Sequence, residues 1–344
     1  MGGVATNEKV NSLENPEVIL QVRDLVKYFP VRMGFWQSMR TKEQPVLRAV
    51  DGVSLDVYKG EILGLVGESG CGKTTLARTI LRLTDATGGE AVLEGEDIFG
   101  LDEKEMNKLR RKMQIIFQDP YESMNPRMDV QTIISEPLVL QGLTKSVHDS
   151  RDAVASALAD VEMVPPEEYM GRYPHELSGG QRQRVAVARA LSVDPDFIVA
   201  DEPVSMLDVS IRGEVLNLML RLSRSRGVTF IYITHDLATA RHICDRIAVM
   251  YLGKIVEMGT ADEVIQGPLH PYTTALIGAV FVPDPRHRGF AEILKGEIPS
   301  PVDPPSGCRL HPRCPHTMDI CKEVQPELVL HEGTHQVACH LAER

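Results

Sequence analysis

The sequence predicts an α/β fold: a parallel sheet carrying a phosphate-binding loop, with an antiparallel β part, an inserted helical segment and a small cysteine-rich, irregular C-terminal region. Three observations predict it. In "EILGLVGESGCGKTTLARTILRL" a glycine-rich turn joins an apolar strand pattern to a helical one. Three more short apolar runs, "MQIIFQ", "FIVADE" and "TFIYITH", each stop at polar residues. Between the first two lies "SVHDSRDAVASALADVEMV", where Val154, Ala157, Leu158 and Val161 fall at helical spacing. Ligands of open α/β sheets bind beyond the carboxyl ends of the strands, so four polar strand ends point to one shared site.

Composition narrows the classes of partner. The chain has 344 residues and a net charge of −11, which argues against a nucleic acid held by bulk electrostatics. No apolar run approaches the ~18 residues of a membrane span, and the first residues lack a signal-peptide pattern. A soluble, cytoplasmic chain is therefore expected. Length favours one large domain and a smaller one.

The glycine-rich turn, Gly67-Glu68-Ser69-Gly70-Cys71-Gly72-Lys73-Thr74, satisfies the P-loop pattern in a strand–loop–helix context. Its glycines let backbone N–H groups close around phosphate oxygens. Lys73 would bridge the β and γ phosphates, the Thr74 hydroxyl would ligate Mg²⁺, and Thr75 adds a phosphate contact. A second carboxylate source for the metal follows the strand pattern Phe197–Ala200: Asp201 would enter the Mg²⁺ shell and Glu202 would face the attacking water. Gln118 and His235 end the other two runs. A second anion site opens the helix pattern of "HELSGGQRQR", where Ser178, Gly179 and Gly180 offer unpaired N–H groups and the positive end of a helix dipole.

The order P-loop, Gln118, LSGGQ, Asp201-Glu202, Ser205-Met206-Leu207-Asp208, His235 resembles an ABC-type ATPase over roughly residues 17 to 265. The resemblance implies a P-loop ATPase fold that binds ATP and Mg²⁺. By it, Phe29 would stack on adenine, with Tyr28 a competitor. Gln118 would touch magnesium and sense the partner subunit, Glu202 would polarise the hydrolytic water, and His235 would hold the γ-phosphate. In such ATPases two domains pack head to tail, so Ser178 and Gly180, with Gln181 beside them, would grip the nucleotide on the neighbouring chain's Lys73. A second ATPase subunit is then required. Met206 departs from the small residue common in relatives.

Three segments lie outside this pattern. The stretch "IRGEVLNLMLRLSRSRG" reads as a core helix with Ile211, Val215, Leu218, Met219 and Leu222 on one face and Gly227 as its stop. The segment 32–45, with the only tryptophan, reads as a surface insertion. "AVMYLGKIVEMG" reads as a hairpin turning at Gly253. From Gly267 onward prolines become frequent and regular periodicity fades. The expected division is a flexible N-terminus over 1–16, an ATPase domain over 17–266 with a helical subdomain at about 119–178, and an extension over 267–344.

"PLHPYTTAL" resembles a segment of the ATPase subunits of oligopeptide, dipeptide and nickel permeases. The spacing of Cys308, Cys314, Cys321 and Cys339, with five, six and seventeen residues between them, resembles that group too. Four thiolates suit a 4Fe-4S iron–sulfur cluster. Zinc is the rival, with His311, His316, His335 and His340 nearby, although tight C-x₂-C pairs are absent. Unligated thiols or disulfides remain a third outcome. A metal would order a stretch so poor in apolar residues. Cys71 and Cys244 do not read as ligands. The expected function is the ATP-hydrolysing subunit of a membrane importer for di- or oligopeptides. It would sit peripherally on the cytoplasmic face, with a second ATPase chain, two transmembrane permease subunits, an external substrate-binding protein and no nucleic acid. The alternatives are a soluble non-transport ABC ATPase, a metal-sensing module, and an importer of nickel chelates or oligosaccharides.

Overall fold

The computed structural model describes residues 17–31, 44–279 and 294–342. The expected flexible N-terminus and most of the expected insertion at 32–45 lie outside these residues.

Five strands form the parallel centre: β3 (Ile62–Val66), β6 (Met113–Ile116), β7 (Phe197–Asp201), β8 (Thr229–Thr234) and β9 (Arg246–Tyr251), in the order β9-β3-β8-β7-β6. In β3, β7 and β8 every residue is buried. A parallel sheet covered on both faces requires such uninterrupted apolar runs. Alternate residues serve different cores: Ile198 and Ala200 join the cluster containing the helical segment, while Phe197 and Val199 join the cluster beneath the antiparallel sheet. The period-2 alternation of strand side chains divides one run between two layers.

The antiparallel sheet orders β2 (Val46–Tyr58), β1 (Val18–Pro30), β4 (Gly88–Leu93) and β5 (Glu96–Asp97) as β2-β1-β4-β5. On β2, Val53, Leu55 and Val57 are buried and their neighbours Ser54 and Asp56 are half-exposed. The helical segment consists of Pro120–Ser123, Val130–Leu140, Arg151–Asp160 and Glu167–Met170. Asp129 caps its longest helix by accepting from the Thr132 N–H at 2.8 Å. All four residues of the predicted stripe, Val154, Ala157, Leu158 and Val161, are buried. The helix Val209–Arg226 ends at Gly227, whose φ of +70° is the left-handed cap that glycine supplies without strain.

The extension departs from expectation. Beyond residue 266 the chain forms the helix Pro271–Ala279 and a hairpin of β11 (Val329–Glu332) and β12 (His335–Val337). β12 pairs antiparallel with β10 (Lys254–Thr260), which itself folds back on β9 through Gly253. The main sheet therefore continues into the cysteine-rich region as β11-β12-β10-β9. Order here comes from sheet addition and buried polar links. Glu257 is fully buried on β10 and accepts from Leu269 N–H (2.7 Å) and His270 N–H (3.1 Å), and its carboxylate meets His335 Nε2 at 2.7 Å. Strands of three and four residues carry too little periodicity to be legible beforehand.

Candidate functional site

The loop after β3 carries the P-loop residues. Gly72, the N-cap of helix Lys73–Ile80, has φ +113°, and a Cβ there would lie 2.1 Å from the Ala49 carbonyl oxygen. Only glycine satisfies both the conformation and the space. Lys73 is buried and folds back on its own loop, its Nζ donating to the carbonyls of Gly67 (2.7 Å) and Glu68 (3.0 Å). That ammonium is already poised where the loop closes. Cys71 and Cys244 are buried, as expected of packing residues.

The Thr74 hydroxyl donates to Asp201 Oδ1 at 3.0 Å. A hydroxyl and a carboxylate side by side are hard oxygen donors and fit Mg²⁺. Burial pushes the Asp201 carboxyl above its usual range, offset in part by the Thr74 bond. Next to it Glu202 has φ +45°, a left-handed value costly for a non-glycine residue. Its N–H is tied to the Ile233 carbonyl at 3.0 Å. Its carboxylate Oε2 receives Gln118 Nε2 at 3.3 Å and lies 3.2 Å from His235 Nδ1. Three of the four polar strand ends thus converge on one carboxylate, and the fourth, the P-loop, reaches it through Thr74 and Asp201.

Ser178 is exposed and caps the helix Gly179–Leu191. Its hydroxyl accepts from Gln181 N–H at 3.2 Å, and the Gln181 side chain accepts from Ser178 N–H at 3.0 Å. This reciprocal capping box holds the helix head rigid. Gly180 is buried, and a Cβ on it would lie 2.5 Å from Ile211 Cγ2. Close helix packing thus requires glycine there independently of any ligand. Phe29 leaves 38% of its surface open, with Lys27 Nζ 4.7 Å from its ring centre, whereas the Tyr28 hydroxyl donates to Asp51. Of the two aromatics, Phe29 is the more exposed.

Two contacts at the P-loop had no signal in the sequence. Arg313 Nη1 pairs with the Glu68 carboxylate at 3.1 Å, and the Glu68 N–H donates to the Tyr272 hydroxyl at 2.9 Å. Both partners lie in the extension, more than 200 positions away, beyond the reach of any local pattern.

Cys308, Cys314, Cys321 and Cys339 line one cavity together with His270 and His340. Burial, reinforced by the neighbouring cysteines, pushes the Cys308 thiol up to about 11, and burial also raises Cys339. Four thiols lining one cavity, with His311 and His316 also on its wall, fit the donor chemistry of a Cys₄ group. Yet among the described residues no group of three or more His, Cys, Asp or Glu side chains is arranged to hold a metal ion. The expected metal site is therefore not shown: the four thiols share a cavity, and no set of ligands around a single ion, as zinc would need, is formed among the described residues. No disulfide joins the six cysteines, all of which are among the described residues.

Fold and site together define an ATP-hydrolysing cassette. The family model described as ABC transporter matches residues 50–205, and the one described as Oligopeptide/dipeptide transporter, C-terminal region, matches residues 256–321. The chain is 47% identical over 332 residues to the oligopeptide transport ATP-binding protein AppF of Bacillus subtilis, covering 95% of this chain and 98% of that protein. It is also 47% identical over 334 residues to OppF of Salmonella typhimurium, an oligopeptide transport ATP-binding protein, covering 95% and 97%. Among solved structures it resembles the ATP-binding cassette MJ0796, a dimer in a post-hydrolysis state bound to ADP and Pi, with TM-score 0.61 and 29% identity over 70% of this chain and 98% of that one. The chain belongs to the family of ABC transporter ATP-binding subunits and is an ABC-type ATPase. Among the described residues no helix is long and apolar enough to cross a membrane.

Proposed function

We propose that the chain powers a peptide importer. In this reading it lies on the cytoplasmic face beside two membrane-embedded permease subunits, which receive di- or oligopeptides from an external binding protein. The observation that carries the reading is the exposed, rigidly capped head of the Gly179–Leu191 helix. One chain carries a complete loop for phosphate and a complete carboxylate cluster, but its Ser178 faces outward. A second ATPase chain, packed head to tail, would receive Ser178 and Gly180 at its own nucleotide.

The geometry is compatible with the following roles. Lys73 and the loop N–H groups of residues 67 to 75 neutralise the β and γ phosphates. Thr74 and Asp201, with Gln118 at hand, would hold Mg²⁺, which would supply charge neutralisation for phosphoryl transfer. Glu202 orients the attacking water, kept in place by Gln118 and His235, and His235 reaches the γ-phosphate. Phe29 stacks on adenine. Closure of two chains on intact ATP and separation after cleavage give the two states that a transport cycle alternates between.

The four-cysteine cavity is proposed to accept a 4Fe-4S cluster in a structural role. Anaerobic purification should yield iron and acid-labile sulfide in the chain. Zinc alone, or no metal, removes that proposal without touching the ATPase.

The importer reading is tested by reconstituting the chain with its co-purifying membrane partners in vesicles. ATP inside should drive accumulation of a labelled dipeptide or oligopeptide presented with its binding protein. Accumulation of a nickel chelate or an oligosaccharide instead of peptides would overturn the cargo. A chain that co-purifies with no membrane subunit would overturn the importer.

A further inference from the structure

The P-loop contains a negative charge where it is least welcome. Glu68 follows Gly67 directly, and its backbone carbonyl already binds the Lys73 ammonium at 3.0 Å. A free carboxylate on this loop would repel an incoming triphosphate, because like charges that share a site disfavour one another. The charge is not free. Arg313 sets both guanidinium nitrogens toward it, Nη1 at 3.1 Å from Oε2 and Nη2 at 3.5 Å from Oε1.

Arg313 is itself buried, and its Nη1 also lies 3.4 Å from the Tyr251 hydroxyl at the end of β9. Tyr251 packs against Tyr272 with ring centres 4.6 Å apart, and Tyr272, fully buried, accepts the Glu68 N–H. The side chain and the backbone of Glu68 are therefore both held from the extension. A second buried arginine repeats the arrangement nearby: Arg309 pairs with Asp51 and donates to the Leu252 carbonyl, and Asp51 takes the hydroxyl of Tyr28 beside Phe29. Asp51 and Leu252 flank the loop, since the Gly253 N–H donates to the Cys71 carbonyl at 2.8 Å.

We propose that Arg313 is a positioning residue of the nucleotide site: it neutralises Glu68 and, with Tyr272, fixes the loop in a form that accepts a triphosphate, so that the C-terminal extension completes the ATP site. The proposal rests on the reading that residues 67 to 75 hold the phosphates. It makes the extension a working part of the ATPase rather than an appendage of transport.

The experiment is a fluorescence titration of the purified full-length chain with a methylanthraniloyl derivative of ATP. Arg313→Gln should raise Kd about tenfold, inside the 5–150-fold range of site-to-site coupling. Glu68→Gln supplies the second background: with the charge that needs neutralising removed, adding Arg313→Gln to it should change Kd by less than the same substitution does in the parent. The double variant should recover most of the affinity lost in Arg313→Gln. A purely architectural arginine would give no such recovery, because deleting a second contact cannot restore packing. Unchanged affinity in Arg313→Gln, or a double variant as weak as the single one, overturns the proposal. Should Arg313→Gln fail to fold, Arg313→Lys serves: it keeps the charge but loses the two-nitrogen geometry, and adding Glu68→Gln should leave its affinity equal or better. Lys73→Ala is the control for the underlying reading. If it binds nucleotide like the parent, the phosphate site itself is misplaced; if it loses binding while Arg313→Gln does not, only the present inference fails.

Discussion

Glu202 concentrates the chemistry of the site in one side chain. It stands in a left-handed conformation and shares one carboxylate oxygen between Gln118 and His235. Strain of about 1–3 kcal/mol persists only where surrounding contacts impose it, and the bond from Glu202 N–H to Ile233 is one of them. Glu202→Gln keeps the size and hydrogen-bonding reach but removes the charge proposed to orient water. Nucleotide binding should persist while turnover falls by about 10²–10³, the loss typical of one positioned catalytic group; steady-state phosphate release measures it, and near-parental turnover refutes the role. Gly72 is decided by space. Gly72→Ala would place a methyl group against the Ala49 carbonyl in a backbone region alanine avoids, and overpacking and strain together should cost about 2–4 kcal/mol. Thermal melting of the purified variant should show that loss, and an unchanged melting temperature contradicts the steric reading. These residues were legible in the sequence because their spacing is local: the P-loop pattern and the polar ends of four apolar runs lie within single elements. That the Tyr28 hydroxyl is engaged was not, because it depends on Asp51, which lies on the neighbouring strand β2.

At the scale of the element, the Gly179–Leu191 helix separates two demands that its sequence superimposes. Gly180 must be small because Ile211 on the following long helix occupies the space above it. Ser178 must be polar because it caps the helix. Either requirement would retain its residue without any nucleotide, so the motif alone understates how much of it is architecture. What architecture does not explain is the exposure of the helix head. Ser178→Arg should therefore leave the isolated chain able to bind ATP, at a cost in stability of about 1 kcal/mol for the lost cap. The assembled, paired enzyme should lose most of its hydrolysis. Equilibrium binding on the single chain and phosphate release from the assembly separate the two effects, and loss of ATP binding by the isolated chain would mean that Ser178 serves its own site. Met206, 65% exposed in the loop after Glu202, stands on the surface as well, where its side chain is accommodated without disturbing the core.

Across the whole molecule the extension changes from an expected appendage into the edge of the main sheet. Glu257 is the knot: a fully buried carboxylate on β10 that satisfies two backbone N–H groups and contacts one imidazole, all from beyond residue 266. Glu257→Ala would leave those groups without an acceptor. Each unsatisfied buried group costs about 1–3 kcal/mol, so stability should fall by about 3 kcal/mol or more, with increased proteolysis after residue 266. Limited proteolysis with mass mapping checks it, and an equally protected extension would show that the knot is dispensable. By itself the sequence determined the class of fold, the order of the motifs, the nucleotide loop, the carboxylate pair and the helical stripes, because each is written in spacings of a few residues that backbone periodicity converts directly into faces and ends. Only the tertiary structure decided where the extension goes, that Arg313 and Tyr272 grip Glu68, that the four cysteines share a cavity, and that the Tyr28 hydroxyl is engaged. Those outcomes depend on charges and hydrogen bonds between segments up to 258 positions apart, whose pairing is selected by burial in the folded chain and leaves no periodic trace in the sequence.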